Sequence, residues 1–108
     1  MDRSRLLVRF RAGPTWADRG PPQAQLGWAA HAAFIDRLVE RGTVVMGGTL
    51  SDHTGALLLL EGVTDAQAGE LLATDPFVEN GVFVLDEILD WTIFVDELTR
   101  RPDGPALR

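Results

Sequence analysis

Strand-like and helix-like hydrophobic patterns follow one another along this chain in a fixed order. Leu6, Val8 and Phe10 alternate with more polar neighbours, which is the two-residue period of a β-strand with one apolar face. Later segments with the length and periodicity of regular elements are a helix at 23–41, strands at 43–50 and 56–60, a helix from Thr64, and a final strand at 82–85 and 88–95 with a bulge near Asp86-Glu87. The order β-α-β-β-α-β is that of the split βαβ motif. We therefore predict a ferredoxin-like α+β domain with an antiparallel sheet and its helices on one face.

Short local signals support two of these helices. Pro21-Pro22 suits the start of the first helix, because a proline at the first helical position lacks only an N–H that would be unpaired there. Thr64 and Gln67 have the three-residue spacing of a capping box, in which each side chain satisfies the other residue's backbone N–H. The second helix is therefore expected to begin just after Thr64.

Length and composition fit a single folded domain. The chain has 108 residues, of which 45% are hydrophobic and 24% charged, as in ordinary globular proteins. We expect one domain over residues 1–95 and a polar C-terminal tail at 96–108. The absence of cysteine excludes disulfides, thiolate chemistry and zinc sites built on sulfur.

The charge pattern argues against a nucleic-acid partner. The formal net charge is −6, from ten Lys+Arg and sixteen Asp+Glu, so a phosphate backbone would be repelled unless basic residues clustered on one face. The only such cluster is formed by Arg3, Arg5, Arg9 and Arg11. The simpler interpretation is that these arginines are solvated charges that keep the strand from pairing with another chain. The sequence has no signal-like segment and no run of about eighteen apolar residues, so a cytoplasmic protein without a membrane partner is expected.

The second face of the sheet predicts self-association. Leu57–Leu60 is a continuous apolar run, as is typical of a strand buried on both sides. Helices on one face leave the other face uncovered, and a large uncovered apolar face marks an interaction site. We therefore expect a homodimer.

Two irregular segments are candidates for a pocket. The connection at 11–22 is long and contains Trp16, which suggests a possible lid. Gly47 and Gly48 interrupt a strand, and glycines there mark either a bulge or a place where a ligand approaches the backbone. Both readings of the glycine pair stay open.

His31 is the first candidate for chemistry. It lies in the middle of the apolar face of the first helix, although that position also suits a hydrogen-bonded core residue. An imidazole has an unperturbed pKa of about 6.5, which suits proton transfer near neutrality. Asp75 precedes a proline, as a helix N-cap does, and a carboxylate beside an imidazole would also fix its tautomer.

The remaining polar candidates are weaker. Asp52 and His53 stand in the hairpin loop between the two middle strands, where turn residues at the surface are the favoured reading. The two histidines do not have metal-ligand spacing on one element, so no metal site is expected. No glycine loop leads into a helix as a phosphate-binding loop does, and no cofactor is expected.

Several of these residues together resemble the YCII-like family of the dimeric α+β barrel superfamily. The resemblance spans strand one to about Trp91. The residues that match the family pattern are Trp28-Ala29-Ala30-His31, Phe34, Leu38, Gly42, Gly47-Gly48-Thr49-Leu50, Asp52, Gly55, Asp75-Pro76-Phe77-Val78 and Gly81-Val82. It implies a ferredoxin-like dimer with a pocket centred on a histidine and an aspartate, which fall on His31 and Asp75. The family is similar in fold to muconolactone isomerases, and dehydrochlorination of chlorinated hydroxyquinol-type aromatics is among the activities attributed to it.

The chain departs from the commonest family pattern at two places, where Trp28 replaces a frequent arginine and Gly47-Gly48 a frequent glycine-proline pair. Trp28 and Phe34 would favour stacking on a planar ring over binding an acidic substrate. The leading hypothesis is a cofactor-independent lyase or isomerase in which His31 removes a proton from a small cyclic or aromatic substrate. Asp75 would hold the imidazole, and the Gly48 backbone or Arg9 would stabilise an oxyanion. The alternative is a non-catalytic dimeric ligand-binding or accessory domain.

Overall fold

The computed structural model describes residues 3–100, which form one four-stranded sheet with helices. The elements are β1 (Arg3–Ala12), α1 (Trp28–Glu40), β2 (Val44–Thr49), β3 (Gly55–Leu60), α2 (Asp65–Leu72), α3 (Pro76–Glu79), β4 (Phe83–Ile93) and α4 (Glu97–Arg100), with single 3-10 turns at Ala17–Arg19 and Pro22–Ala24. Most of the tail predicted at 96–108 lies outside the described residues, and α4 is the part within them.

The sheet is antiparallel and has the strand order β2-β3-β1-β4. The predicted ferredoxin-like α+β fold is therefore confirmed. The predicted bulge is also present. In the backbone pairing Arg9 lies opposite Glu87 and Phe10 opposite Leu85, so no residue of β1 lies opposite Asp86. The extra residue bends β4 at the edge of the sheet.

The core lies between the helices and one face of the sheet. Val8 pairs with Leu58 on one side and Ile88 on the other, and Ile88 lies beside α2 at Gly69. The alternation seen in the sequence places Leu6 and Phe10 on this face with Val8, and all three are buried. Because side chains alternate along a strand, the odd-numbered residues of β1 face away from the helices.

The helix predicted at 23–41 begins later, at Trp28, because the chain turns sharply at Gly27. Gly27 has a φ of 91°, in the left-handed region that glycine adopts without steric cost. Pro22–Ala24 forms its own turn before this point, so the proline pair begins a separate 3-10 turn. The capping box at Thr64 and Gln67 is formed as predicted and starts α2.

The connection between β1 and α1 is packed against the domain. Trp16 is buried and contacts Phe83, and its indole N–H donates to the carbonyl of Gly20 at 2.8 Å. The buried Gln25 side chain binds the backbone of Ala17 through both its oxygen and its nitrogen. These contacts hold the segment in one conformation, and its role as a lid stays a prediction.

The sheet face opposite the helices carries an apolar row that crosses all four strands. Leu7 pairs with Leu59 and Leu89, and Met46 lies beside Leu59. In this row Leu89 and Met46 are 45% and 51% exposed. Ion pairs of Arg5 with Glu61 and of Arg9 with Asp86 flank the row. None of the helices in the described part of the chain is long and apolar enough to cross a membrane.

Candidate active site

His31 and Asp75 form a buried pair. Nδ1 of His31 lies 2.8 Å from Oδ1 of Asp75, and the two residues are 8% and 0% exposed. His31 belongs to the first half of α1, whereas Asp75 stands immediately before α3. The fold thus brings together the two residues that the sequence and the family resemblance single out.

Asp75 has a local structural role as well. Its Oδ1 accepts the backbone N–H of Phe77 at 2.9 Å, so Asp75 is the N-cap of α3 with Pro76 at the first helical position. This bond holds the carboxylate group in place independently of His31. Its other oxygen, Oδ2, is fully buried and has no partner within the described residues.

The hydrogen bonds assign the tautomer of His31. Oδ1 of Asp75 acts as an acceptor toward Phe77, and we assign Nδ1 of His31 as its second donor. The other ring nitrogen, Nε2, then carries the lone pair. In the described part of the chain Asp75 Oδ2 is the only fully buried side-chain nitrogen or oxygen without a partner, so Nε2 is not sealed in the core.

Three aromatic rings hold the imidazole in place. Phe77 stacks on His31 with ring centroids 4.1 Å apart and planes 10° from parallel. Phe83 meets the imidazole edge-on at 5.4 Å, and Trp28 lies at 5.7 Å on the preceding turn of α1. With the bond to Asp75, these contacts leave the ring little rotational freedom.

His31 lines a cavity of about 690 Å³ between α1 and the β2–β3 hairpin. Trp28 and Gly48, both predicted to contact a substrate, line it as well. Asp75 lies behind His31 and does not reach the cavity wall. The lining is mainly apolar, with Phe10 and Phe83 among its residues, and its volume is within the usual range for small-molecule sites.

The structure does not bring Phe34 or Arg9 to this cavity. Phe34 is buried and faces a separate shallow depression with Arg37 on the other side of α1. Arg9 lies on the sheet face opposite α1, where it is ion-paired with Asp86 and Glu87. The alternation along β1 separates Arg9 from Phe10, which does line the cavity. Neither residue therefore contacts a ligand bound beside His31 in this chain.

His53 does line the cavity, although the sequence favoured a place for it in a surface turn. It has a φ of 58°, a left-handed conformation that is uncommon for residues other than glycine. Asp52 fixes the same turn by accepting the backbone N–H of Thr54 at 3.1 Å. The sequence predicts the local turn, but it does not show that the turn lies beside the cavity.

The described part of the chain offers few side chains that could ligate a metal ion. Within residues 3–100 there is no group of three or more His, Asp, Glu or Cys side chains that could hold a metal. The two histidines are the only ionisable side chains among the described cavity-lining residues. The site is therefore suited to proton transfer and hydrogen bonding in an apolar surrounding.

Comparison with known proteins agrees with this fold. The family model for the YCII-related domain matches residues 7–92. A solved structure with a similar fold is 5-chloro-2-hydroxyhydroquinone dehydrochlorinase from Burkholderia phenoliruptrix AC1100, in complex with 2,5-dihydroxybenzoquinone. The TM-score is 0.55 at 20% sequence identity, and the alignment covers 85% of this chain and 96% of that one.

Comparison with curated protein sequences gave no significant match. The family model nevertheless spans most of the chain, from the middle of β1 to the end of β4. The chain belongs to the YCII-related family.

Proposed function

We propose that this chain is a cofactor-independent enzyme in which Nε2 of His31 takes a proton from a small cyclic or aromatic substrate. The observation that supports this most directly is the buried His31–Asp75 pair at the wall of the cavity. Proton removal is the first step of both eliminations and isomerisations, so the proposed class is lyase or isomerase.

Asp75 is proposed to position His31. When Nε2 takes a proton the imidazole becomes a cation, and the carboxylate 2.8 Å from Nδ1 stabilises that charge. Asp75 also keeps Nδ1 protonated, so that Nε2 is the nitrogen that receives the substrate proton. Because α3 already holds the carboxylate through Phe77, no reorganisation is needed during the reaction.

The cavity favours a planar, mostly apolar substrate. Trp28, Phe10 and Phe83 provide aromatic surfaces, and no acidic or basic side chain other than the two histidines lines the described cavity. A chlorinated hydroxyhydroquinone, as in the name of the structural neighbour, is a planar ring of this kind with polar groups at its edges. In such a dehydrochlorination two hydroxyl protons leave the ring, one of them to His31, and one proton is added to the carbon that bears chlorine. Chloride then leaves with the electron pair of the carbon–chlorine bond, and the ring becomes a hydroxybenzoquinone. No external oxidant is required.

A non-catalytic ligand-binding domain is the second candidate. The observation in its favour is that His31 is stacked on Phe77 and 92% of its surface is covered, as for a structural core residue. In that case the cavity would bind its ligand without turnover, and His31 would contribute to stability alone.

Turnover by a His31→Gln variant separates the two candidates. Wild type is expected to release chloride from 5-chloro-2-hydroxyhydroquinone, and loss of the base should slow this about 10²- to 10⁴-fold. Asp36→Asn, on the exposed side of α1, is the matched control and should retain full activity. A folded His31→Gln variant that turns over as fast as wild type would contradict the enzyme proposal.

We also propose that a second copy of the chain covers the apolar row on the sheet face opposite α1. The exposed apolar row of Met46 and Leu89 supports this, because monomers seldom leave such a surface in water. The oppositely charged pairs beside the row, Arg9 with Glu87 and Arg5 with Glu61, suit a two-fold contact in which each patch meets its own copy. The cavity lies between α1 and β2, and Met46 borders both the cavity and the row.

A further inference from the structure

The cavity has a second imidazole whose role the His31–Asp75 pair does not explain. His53 lines the same cavity as His31 but comes from the loop between β2 and β3. In the described chain these two residues are the only ionisable ones in the lining.

Chain geometry places the two histidines at the same end of the cavity, one on α1 and the other on the loop after β2. β2 follows α1 after a connection of three residues, so the two elements run in opposite directions. Thirteen helical residues and six strand residues both span about 20 Å. The start of α1, with Trp28 and His31, is therefore level with the end of β2 and the loop that carries His53.

Two glycines form part of the wall between these positions. Gly47 and Gly48 lie in β2 just before the hairpin loop, and both line the cavity without a side chain. At Gly47 a Cβ would come within 2.6 Å of the Leu58 side chain, which also lines the cavity, so Leu58 fills the space over Gly47. At Gly48 a Cβ would meet nothing within 4 Å, so the strand has open space at this position.

The loop holds His53 in an unusual conformation. Its φ of 58° is maintained in a turn where both the backbone N–H and the hydroxyl of Thr54 donate to Oδ1 of Asp52. Non-glycine residues in this region cost free energy and are concentrated at ligand-binding sites. This turn holds His53 at the cavity wall.

We propose that His53 is a substrate-binding residue that hydrogen-bonds an oxygen substituent of the ring whose proton His31 removes. This inference rests on the proposed function and specifies its substrate class: a planar ring with oxygen substituents on two edges, one facing each histidine. A ring with a single oxygen can satisfy His31 or His53 but not both. His53 thereby selects poly-oxygenated rings over simple phenols.

Binding of two probes to a His53→Gly variant tests this. Glycine accepts the positive φ without strain, so the change removes the imidazole and keeps the loop. The probes are 2,5-dihydroxybenzoquinone, with oxygens around its ring, and phenol, with one. The chain has neither cysteine nor lysine, the side chains with which quinones commonly react, so the quinone probe reports non-covalent binding.

Dissociation constants are measured by NMR, following the ring signals of His31 in every protein and of His53 wherever it is present. The expected result is that 2,5-dihydroxybenzoquinone binds about tenfold more weakly to His53→Gly than to wild type, the effect of one lost hydrogen bond. Phenol should bind both proteins within about twofold, and its retained binding shows that the cavity is intact. Ser51→Gly, an exposed change in the same loop, controls for loop flexibility and should bind both probes as wild type does.

Two other results would overturn the inference in distinguishable ways. If His53→Gly binds the quinone as tightly as wild type, the role of His53 is wrong, while loss of turnover in His31→Gln still supports the proposed function. If the quinone shifts the ring signals of neither histidine in the wild-type protein, the substrate class is wrong for both proposals.

Discussion

Oδ1 of Asp75 binds both Nδ1 of His31, 44 residues earlier in the chain, and the backbone N–H of Phe77. One oxygen atom thus caps α3 and orients the proposed base. The carboxylate is held by the helix whether or not His31 is present. This double role makes it possible to separate the structural and the chemical contribution of Asp75 by mutation.

Asp75→Asn should leave the protein folded and impair turnover. Asparagine is as good an N-cap as aspartate, so the free energy of unfolding should change by no more than about 1 kcal/mol. The amide carries no negative charge to stabilise the imidazolium, and turnover should fall about 100-fold or more. Urea unfolding and chloride release measure the two effects.

Asp75→Ala is the companion variant. It removes the cap as well as the bond to His31, so unfolding should become easier by about 1–3 kcal/mol. Full turnover by Asp75→Asn would show that His31 does not need the carboxylate.

Gly27→Ala should destabilise the protein and disturb the site. A side chain at a φ of 91° costs about 1–2 kcal/mol, and the new Cβ would lie 2.7 Å from Nδ2 of Asn80. That amide donates to the carbonyl of Leu26 at 2.8 Å, just before α1 begins. The clash should therefore shift the start of α1 and slow turnover.

Gly42→Ala is the control for this change. Gly42 also has a positive φ, 78°, but a Cβ there would meet nothing within 4 Å. It should lose stability without losing turnover in the folded protein. Equal unfolding midpoints for the two variants would show that the Asn80 contact does not matter.

Glu61→Gln should cost more stability than Glu87→Gln. Glu61 pairs at 2.9 Å with Arg5, whose side chain is only 5% exposed, whereas Glu87 pairs with Arg9, which is 51% exposed. Weakening the partner of a buried charge costs about 1–3 kcal/mol, and an exposed pair contributes about 0–1 kcal/mol. Urea unfolding of both variants in the same buffer makes the comparison, and equal losses would contradict it.

Leu89→Asp should break the proposed dimer. Wild type is expected to have twice the chain mass of 11.8 kDa by light scattering, and a carboxylate in the apolar row should reduce this to a monomer. Leu26→Asp alters a residue that is 85% exposed and lies outside the sheet, so it should stay dimeric. A monomeric wild type would refute the dimer.

Much of the fold was predictable because its signals are local. Leu6, Val8 and Phe10 alternate in a way that fixes the buried face of β1, and Thr64 with Gln67 form a capping box within four residues. The start of α1 was predicted five residues too early. Helix periodicity continues through Gly27, but the backbone there is left-handed, and distant Asn80 donates a hydrogen bond to the carbonyl of the preceding Leu26.

The candidate site was predictable in part. The apolar face of the first helix indicated His31, and the resemblance to a family indicated Asp75, but no local pattern shows that two side chains 44 residues apart are in contact. Arg9 was proposed for the cavity, although the alternation of β1 already placed it on the face opposite Phe10. His53 was assigned to a surface turn, because turn residues explain the loop without reference to α1 across the cavity.

The most direct test of the account is chemical rescue of a His31→Ala variant. Removing the imidazole leaves a space bounded by Phe77, Phe83 and Asp75, which free imidazole can enter. The account predicts that the variant is folded and inactive with 5-chloro-2-hydroxyhydroquinone, and that added imidazole restores chloride release with saturation. A folded variant that releases chloride at the wild-type rate without imidazole would show that His31 is not the base.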